Sequence, residues 1–376
     1  MAPTILLAAG EPSGDLHGAA LARELRRRWP EAELYGLGGP LMQEAGVELL
    51  AHTDELAVMG FAEVFRHLPY FIRLMRRMRA TLRERRPALV IPIDYPGFNL
   101  RLARAARAAH IPVLYYIAPQ VWAWHRSRMH ELARAADRLA VILPFEAQLF
   151  REAGADVRFV GHPLLDLAGA RVSRAEFCRL HGLAADRPLL ALFPGSRRQE
   201  VERHLQLFAA AAERVRSVRP DVQPVIAASP AVPAERYAGV DMPRVADSWE
   251  LLLHADTALV KSGTSTLQAA LTLTPLVVAY RMHPLSFALA RRLVKVPHVA
   301  LVNLVAEARV APELIQDEAT AQSLAEALLP LLPGGAGHAA ARAALAEVRA
   351  RLAAPGGGGT TAERVSALAA ELIDAA

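Results

Sequence analysis

With 376 residues, 53% hydrophobic and 22% charged, the chain is too long for one ordinary core and too apolar to be disordered, and it has the size of two domains. Its single cysteine, Cys178, excludes an internal disulfide and reads as packing. The net charge of +5 suits an anionic ligand or an anionic surface, and no nucleic-acid-binding module is recognisable.

The first apolar run, Thr4–Ala9, is short and has no Lys or Arg before it, so no secretory signal is expected. The uncharged stretch from Ser262 to Tyr280 contains Gly263, Gln268 and Pro275 and reads as a buried strand-helix-strand passage, not a membrane span. A soluble protein with at most peripheral membrane contact is expected.

Along the chain, short apolar runs alternate with helical patterns, the rhythm of parallel strands joined by crossover helices. In the first half the predicted strands are Thr4–Ala9, Glu33–Gly36, Ala88–Ile93, Val113–Ile117, Arg138–Ile142 and Val157–Val160, with helices such as Leu16–Arg28 and Asn99–Ala109 between them. The segment Arg66–Arg86 carries eight arginines against one acid, Glu84. Within it Leu68, Phe71, Ile72, Met75, Met78 and Leu82 follow helical spacing, and Pro69 suits a helix start. It reads either as an amphipathic helix with a core face or as an interfacial element. In the second case apolar side chains would meet acyl chains and arginines would meet anionic headgroups.

In the second half the predicted strands are Leu189–Phe193, Val222–Ala227, Thr257–Val260 and Leu276–Ala279, with helices Gln199–Val218 and Thr264–Leu271. The βα rhythm thus occurs twice. It predicts an α/β chain of two Rossmann-like domains with parallel sheets and a central cleft, joined near Gly161–Ser173. A break at Pro333-Gly334-Gly335 follows, and the run Gly356–Gly359 frees the last helix, Ala362–Ile373, to pack away from its own domain.

Three strand-to-helix turns could hold phosphate. They are Gly10-Glu11-Pro12-Ser13-Gly14-Asp15, Gly195-Ser196-Arg197, and Lys261-Ser262-Gly263-Thr264. Glycine admits close backbone approach, and free N–H groups at a helix start attract anions. Each turn alone could merely cap a helix; two at successive strand ends of the second half are better evidence. Arg197 could grip a diphosphate, or could be only a solvated arginine in a first helical turn, where a cation is mildly unfavourable. No Walker A motif and no Asp-x-Asp pair is present, so no metal and no cofactor are expected. The leaving-group charge would then fall to Arg197, helix N-termini and Lys261.

At this point the residues resemble one known family, lipid-A-disaccharide synthase, over nearly the whole length. The blocks that carry the resemblance, in order, begin with Gly10–Asp15, Gly38-Gly39-Pro40, Leu56–Gly60 and Ile93-Asp94-Tyr95-Pro96-Gly97-Phe98-Asn99. Then come Pro119-Gln120-Val121-Trp122-Ala123-Trp124, Leu143-Pro144-Phe145-Glu146, Gly161-His162-Pro163, Pro194–Arg197, Ser262-Gly263-Thr264 and Asn303-Leu304.

The resemblance implies a GT-B fold and a metal-independent, inverting transfer from UDP-2,3-diacylglucosamine to 2,3-diacylglucosamine 1-phosphate. It also implies a cytoplasmic enzyme, peripheral on the inner face of the cytoplasmic membrane, with a homodimer as an allowed state. The domains would be residues 1–168, rejoined by the terminal helix 360–376, and 169–345, the second holding the nucleotide.

Asp94 ends a predicted strand and matches the family's proposed base; the alternative is an Asp that caps the next helix. His17 and Asp15 are the reserve bases, although a lone His17 is more often a helix-surface residue. Glu11, Ser13 and Gly14 share the opening loop. Arg197 would steady the departing UDP, with Gly195, Ser196, Lys261, Ser262, Gly263 and Thr264 around it. Gln268 would reach the ribose, and Asn303 the nucleotide or donor sugar. Trp122 and Trp124 suit an acyl or sugar surface and core packing equally. Gly97 and Gln268 stand where the family usually has acids. The rivals are another GT-B UDP-sugar enzyme, such as an epimerase or lipid-linked sugar transferase, and a non-catalytic nucleotide-sugar or lipid-binding protein.

Overall fold

The structure is a computed structural model that describes residues 2–56, 61–123, 127–167, 169–283, 287 and 296–375. Trp124 and most of the Leu56–Gly60 block lie outside the described residues. The chain divides into two compact units, one formed by Met1–Asp166 with Ala353–Ala376, the other by Leu167–Leu352.

In unit 1, β1 (Thr4–Ala9), β2 (Glu33–Gly38), β3 (Glu48–His52), β4 (Leu89–Ile93), β5 (Leu114–Tyr116), β6 (Arg138–Val141) and β7 (Val157–Phe159) form one parallel sheet in the order β3-β2-β1-β4-β5-β6-β7. Strand β1 is central, with Ile5 opposite Leu34 on one side and Leu89 on the other. Its apolar run is continuous because helices cover both faces. The order reverses direction between β1 and β4, where strand ends splay and leave room for a ligand.

The helices start where the sequence supplies proline: α1 (Pro12–Arg28), α2 (Pro40–Glu44), α5 (Pro96–Ala108) and α7 (Pro144–Glu152) each carry it at the first turn. Proline loses nothing there, since that N–H has no helical partner. The other helices of the unit are α3 (Thr53–Leu56), α4 (Phe61–Arg85) and α6 (Ser127–Ala135). Helix α4 differs from expectation. It runs through Pro69 instead of starting there, giving up the hydrogen bond that residue's N–H would have donated.

Unit 2 contains α8 (Arg174–Leu180), β8 (Leu189–Phe193), α9 (Arg198–Val218), β9 (Gln223–Ala227), β10 (Arg244–Val245), α10 (Ser248–His254), β11 (Thr257–Lys261), α11 (Ser265–Leu271) and β12 (Leu276–Tyr280). After these come α12 (Leu301–Ala306), β13 (Glu313–Ile315), α13 (Ala321–Leu328) and α14 (His338–Leu352). Its strands form a second parallel sheet in the order β10-β9-β8-β11-β12-β13, reversing between β8 and β11. Leu190, Leu192, Leu259 and Val277 are fully buried in its core with Phe208 of α9.

The last helix, α15 (Thr361–Asp374), belongs to unit 1. Its Val365 and Ala369 are fully buried in the same core as Ile5 and Leu7. A reciprocal cap starts it, with Thr360 Oγ1 accepting from Glu363 N–H and Glu363 Oε2 accepting from Thr360 N–H. Four successive glycines, Gly356–Gly359, all at positive φ, make the preceding turn.

Candidate active site

Both reversal points carry polar groups, and their chemistry is opposite. In unit 1, Asp94 follows β4 directly. It and Tyr95 both adopt left-handed backbone, φ 47° and 49°, a conformation that is uphill for side chains of this kind and needs support from its surroundings. The support is visible. Asp94 N–H donates to the Tyr116 carbonyl at 3.0 Å, and its own carbonyl accepts from Asn99 Nδ2 and Tyr115 Oη, each at 2.8 Å. Asn99, buried, also donates to the Ala8 and Ile93 carbonyls, so it ties the ends of β1 and β4 to the turn. The residue that caps α5 is Tyr95, not Asp94, which leaves the Asp94 carboxylate free of the capping duty considered above.

Tyr95 lies across Gly10. A Cβ on Gly10 would come within 2.2 Å of the Tyr95 ring, so the opening turn requires glycine in order to let the ring pass.

Burial lifts the Asp94 carboxyl to about 6, helped by the charge of Glu11 and opposed by the Tyr95 N–H. Glu146, at the start of α7, is fully enclosed and is lifted further, to about 8, by burial. Hydrogen bonds from Trp122, Leu143 and Ile142 oppose the shift, and Asp94 adds to it. Glu146 Oε1 accepts from Trp122 Nε1 at 2.9 Å and Oε2 from Leu143 N–H at 3.2 Å. Trp122 is buried and meets Phe145 edge-on, so it packs rather than offering an open face. His17, half-buried on α1, is lowered to about 4 by burial. His162 is lowered to about 3 by burial and by His17. Both are neutral near pH 7.

Of the opening-loop residues, Asp15 and Gly14 part company with the expectation. Glu11 and Ser13 are exposed at the start of α1, as a ligand contact requires. Asp15 is instead buried and spent on the protein. Its carboxylate accepts from Gly39, Leu41 and Met42 N–H at 2.7–3.1 Å and so holds the first turn of α2. Gly14 is buried beside Ala9 and Ile93 and permits close packing of α1.

Helix α4 has two apolar faces. Leu74, Met78 and Leu82 are buried, whereas Leu68 and Ile72 remain exposed. With Phe71, Met75, Tyr95, Gly97 and Phe98 they line a groove of about 640 Å³, bordered by Arg76, Arg79 and Arg101. A side chain at Gly97 would meet nothing within 4 Å; its glycine is not required by packing.

In unit 2, a cavity of about 310 Å³ lies at the reversal between β8 and β11. Gly195, Ser196, Arg197, Glu200, Ser229, Lys261, Gly263, Thr264 and Ser265 line it. Gly195 has φ +137°, and a Cβ there would fall 2.3 Å from Glu200 Cβ. Arg197 is exposed at the N-terminus of the 21-residue α9, and its guanidinium forms no ion pair among the described residues.

Lys261 is not free. Its Nζ donates to Glu200 Oε1 at 2.7 Å and sits 5.4 Å from the Tyr280 ring centre. Burial acts to raise the Glu200 carboxyl, but Lys261, the Ser196 N–H and Arg197 together hold it below the usual range.

Three further residues differ from expectation. Ser262 is buried and donates to the Val299 carbonyl at 3.1 Å. Asn303 is fully buried. Its amide donates to Ala311 O and Glu313 Oε1 and accepts from Ala311 N–H, so the side chain is engaged inside the unit. Gln268, half-buried on α11, does not line the cavity. Glu200, Glu146, Asn99 and Tyr95 carry the geometry without having been singled out. Only their place in the quoted motifs, for the last three, was a signal. Among the described residues no three His, Cys, Asp or Glu converge as a metal site.

Each unit is thus a doubly wound nucleotide-type fold with a polar group at its reversal point, acidic in one and basic in the other. The same architecture occurs in a kitacinnamycin glycotransferase (TM-score 0.68, 18% identity, 99% of this chain and 100% of that one). It occurs also in a putative UDP-N-acetylglucosamine 2-epimerase of Listeria monocytogenes (TM-score 0.65, 14% identity, 97% and 95%). The class is therefore GT-B, shared by glycosyltransferases and nucleotide-sugar epimerases.

The lipid-A-disaccharide synthetase family matches residues 5–353. The lipid-A-disaccharide synthase of Syntrophus aciditrophicus is 42% identical over 380 residues, covering 98% of this chain and 97% of its own. That of Geobacter sulfurreducens is 39% identical over 376 residues, with 98% and 97% coverage. The chain belongs to the lipid-A-disaccharide synthase family and is a glycosyltransferase.

Proposed function

We propose that this enzyme transfers 2,3-diacylglucosamine from UDP-2,3-diacylglucosamine to the 6-hydroxyl of 2,3-diacylglucosamine 1-phosphate, with inversion, giving a β-1,6 disaccharide 1-phosphate and UDP. The observation that carries this reading is the division of chemistry between the two reversal points. Unit 1 offers a carboxylate whose affinity for protons is raised towards neutrality, as a general base requires. Unit 2 offers a glycine turn, a helix N-terminus and an unpaired arginine, as a departing diphosphate requires.

As the acceptor oxygen attacks the anomeric carbon, its proton passes to Asp94 and the glycosidic bond to UDP breaks. Arg197 and the α9 N–H groups meet the charge that develops on the diphosphate. No metal or cofactor is assigned a part. The apolar groove beside Tyr95, Gly97 and Phe98 would take acyl chain, and the arginines around it an anionic headgroup, which supports a peripheral position on the cytoplasmic membrane face. No helix among the described residues is long and apolar enough to cross a membrane.

The test is direct. The full chain is incubated with both diacylated sugars without added metal, and UDP and disaccharide are measured. Hydrolysis or epimerisation of the donor alone overturns the reading. Asp94→Ala is expected to abolish turnover while UDP still binds; near-full activity would move the base elsewhere.

A further inference from the structure

We infer that Glu200 is an internal occupant of the nucleotide-phosphate cavity, and that its negative charge weakens the hold on the departing diphosphate. This rests on the reading that UDP binds at the Gly195 turn. The Glu200 carboxylate is surrounded by donors. Oε1 accepts from Lys261 Nζ at 2.7 Å, and Oε2 accepts from the backbone N–H groups of Ser196 at 3.0 Å and Arg197 at 3.4 Å. Two N–H groups at a long helix start and an ammonium at the end of the adjacent strand are the donors a phosphate would recruit at this place in the fold.

An ordinary capping glutamate accounts for the N–H of Arg197, the residue before the helix, but not for that of Ser196. It does not account for Lys261, which comes from β11 and is largely withdrawn from solvent by the pair, with side-chain exposures of 16% for Lys261 and 20% for Glu200. Nor does a cap alone explain the approach of the two backbones. The Glu200 Cβ lies 2.3 Å from where a Gly195 Cβ would be, so glycine at 195 is what lets the carboxylate fold over the turn.

When a diphosphate enters, the carboxylate either stays and repels it or turns away and gives up Lys261. Both courses reduce affinity for UDP, and both favour its release after transfer.

The experiment is calorimetric titration of UDP into the full-length wild type, Glu200→Gln, Glu200→Asp, Lys261→Met, Arg197→Ala and the Glu200→Gln/Lys261→Met double variant, each checked for an unchanged circular dichroism spectrum. Glutamine keeps the size and one acceptor but not the charge, so Glu200→Gln is expected to tighten UDP about tenfold, the effect of one like charge removed at close range. UDP inhibition of turnover should strengthen by the same factor. Lys261→Met, which unmasks the carboxylate, should weaken UDP, and the double variant should return near the wild type. Glu200→Asp, still charged, should show no tightening.

If Glu200→Gln leaves UDP binding unchanged or weaker, or if Glu200→Asp tightens it equally, the inference is overturned and Glu200 is only a cap. If Arg197→Ala does not weaken UDP binding at all, the nucleotide sits elsewhere and the underlying reading falls as well.

Discussion

Glu146→Gln separates burial of a carboxyl from its hydrogen bonds. In the folded chain burial holds this carboxyl at about 8, against an ordinary value of 4.5. Between those values the folded state keeps a proton that the unfolded chain has released. For an acid raised in this way, the stabilising contribution is complete below pH 4.5. It falls as pH rises and is flat again above pH 8. The loss is about 1.4 kcal/mol per pH unit well inside the window and less near its ends, so wild-type stability should drop by roughly 3.5 kcal/mol from this group between pH 5 and pH 8. Glutamine cannot ionise and escapes the drop. It still accepts from Trp122 Nε1 but forfeits the Leu143 N–H contact, a constant cost of about 1 kcal/mol at every pH.

Urea unfolding of both proteins at pH 5 and pH 8 gives a double difference in which titrating groups not coupled to Glu146 cancel, leaving Glu146 and its coupling to Asp94. The two should be about equally stable at pH 5, and the variant the more stable by about 3 kcal/mol at pH 8. Parallel stability curves would refute the reasoning, because they would mean that Glu146 ionises as freely folded as unfolded.

Other outcomes follow from the same geometry. The pH profile of kcat/KM should rise through an inflection near 6, where Asp94 loses its proton, and His17→Gln should keep that inflection because His17 is neutral above about 4; its disappearance would make His17 the base. Gly10→Ala puts a methyl into the Tyr95 ring and should lower kcat at least tenfold, roughly the cost of a misplaced catalytic group, while UDP affinity measured by calorimetry stays unchanged. Asp15→Ala strips three backbone N–H groups of their acceptor and should cost about 2–4 kcal/mol of stability; a loss below about 0.5 kcal/mol would contradict the scaffold role given to Asp15.

Much of the fold was legible because buried parallel strands write themselves as unbroken apolar runs. Thr4–Ala9, Leu189–Phe193 and the other central strands were plain for that reason. Of the four edge strands only β7 was legible; β3, β10 and β13 were not. They have a neighbour on one side only, are short, and include polar residues such as Glu48, His52, Arg244 and Glu313, so no apolar run marks them. Pro69 misled for a related reason, since local chemistry favours a helix start while the assembled fold carries the helix through it.

The same division runs through the site. A sequence determines which residues stand in turns after strands, and so it pointed to Asp94, Arg197 and the glycine turns; motif order determined the family. It does not determine where a side chain spends its hydrogen bonds. Asp15 and Asn303 look like ligand-facing polar residues in a line of letters, yet each is buried and engaged inside its own unit, Asp15 by backbone 24 or more residues on and Asn303 by Ala311 and the Glu313 carboxylate, 8 and 10 residues on. Glu146 looks like a helical surface acid, but enclosure beside Trp122 makes it a neutral one. Glu200 and Lys261, 61 residues apart, become a pair only when β8 and β11 lie side by side. Local pattern specifies elements because it acts over a few residues. Burial, proton affinity and ion pairing depend on neighbours brought together across the chain, and those only the tertiary structure decided.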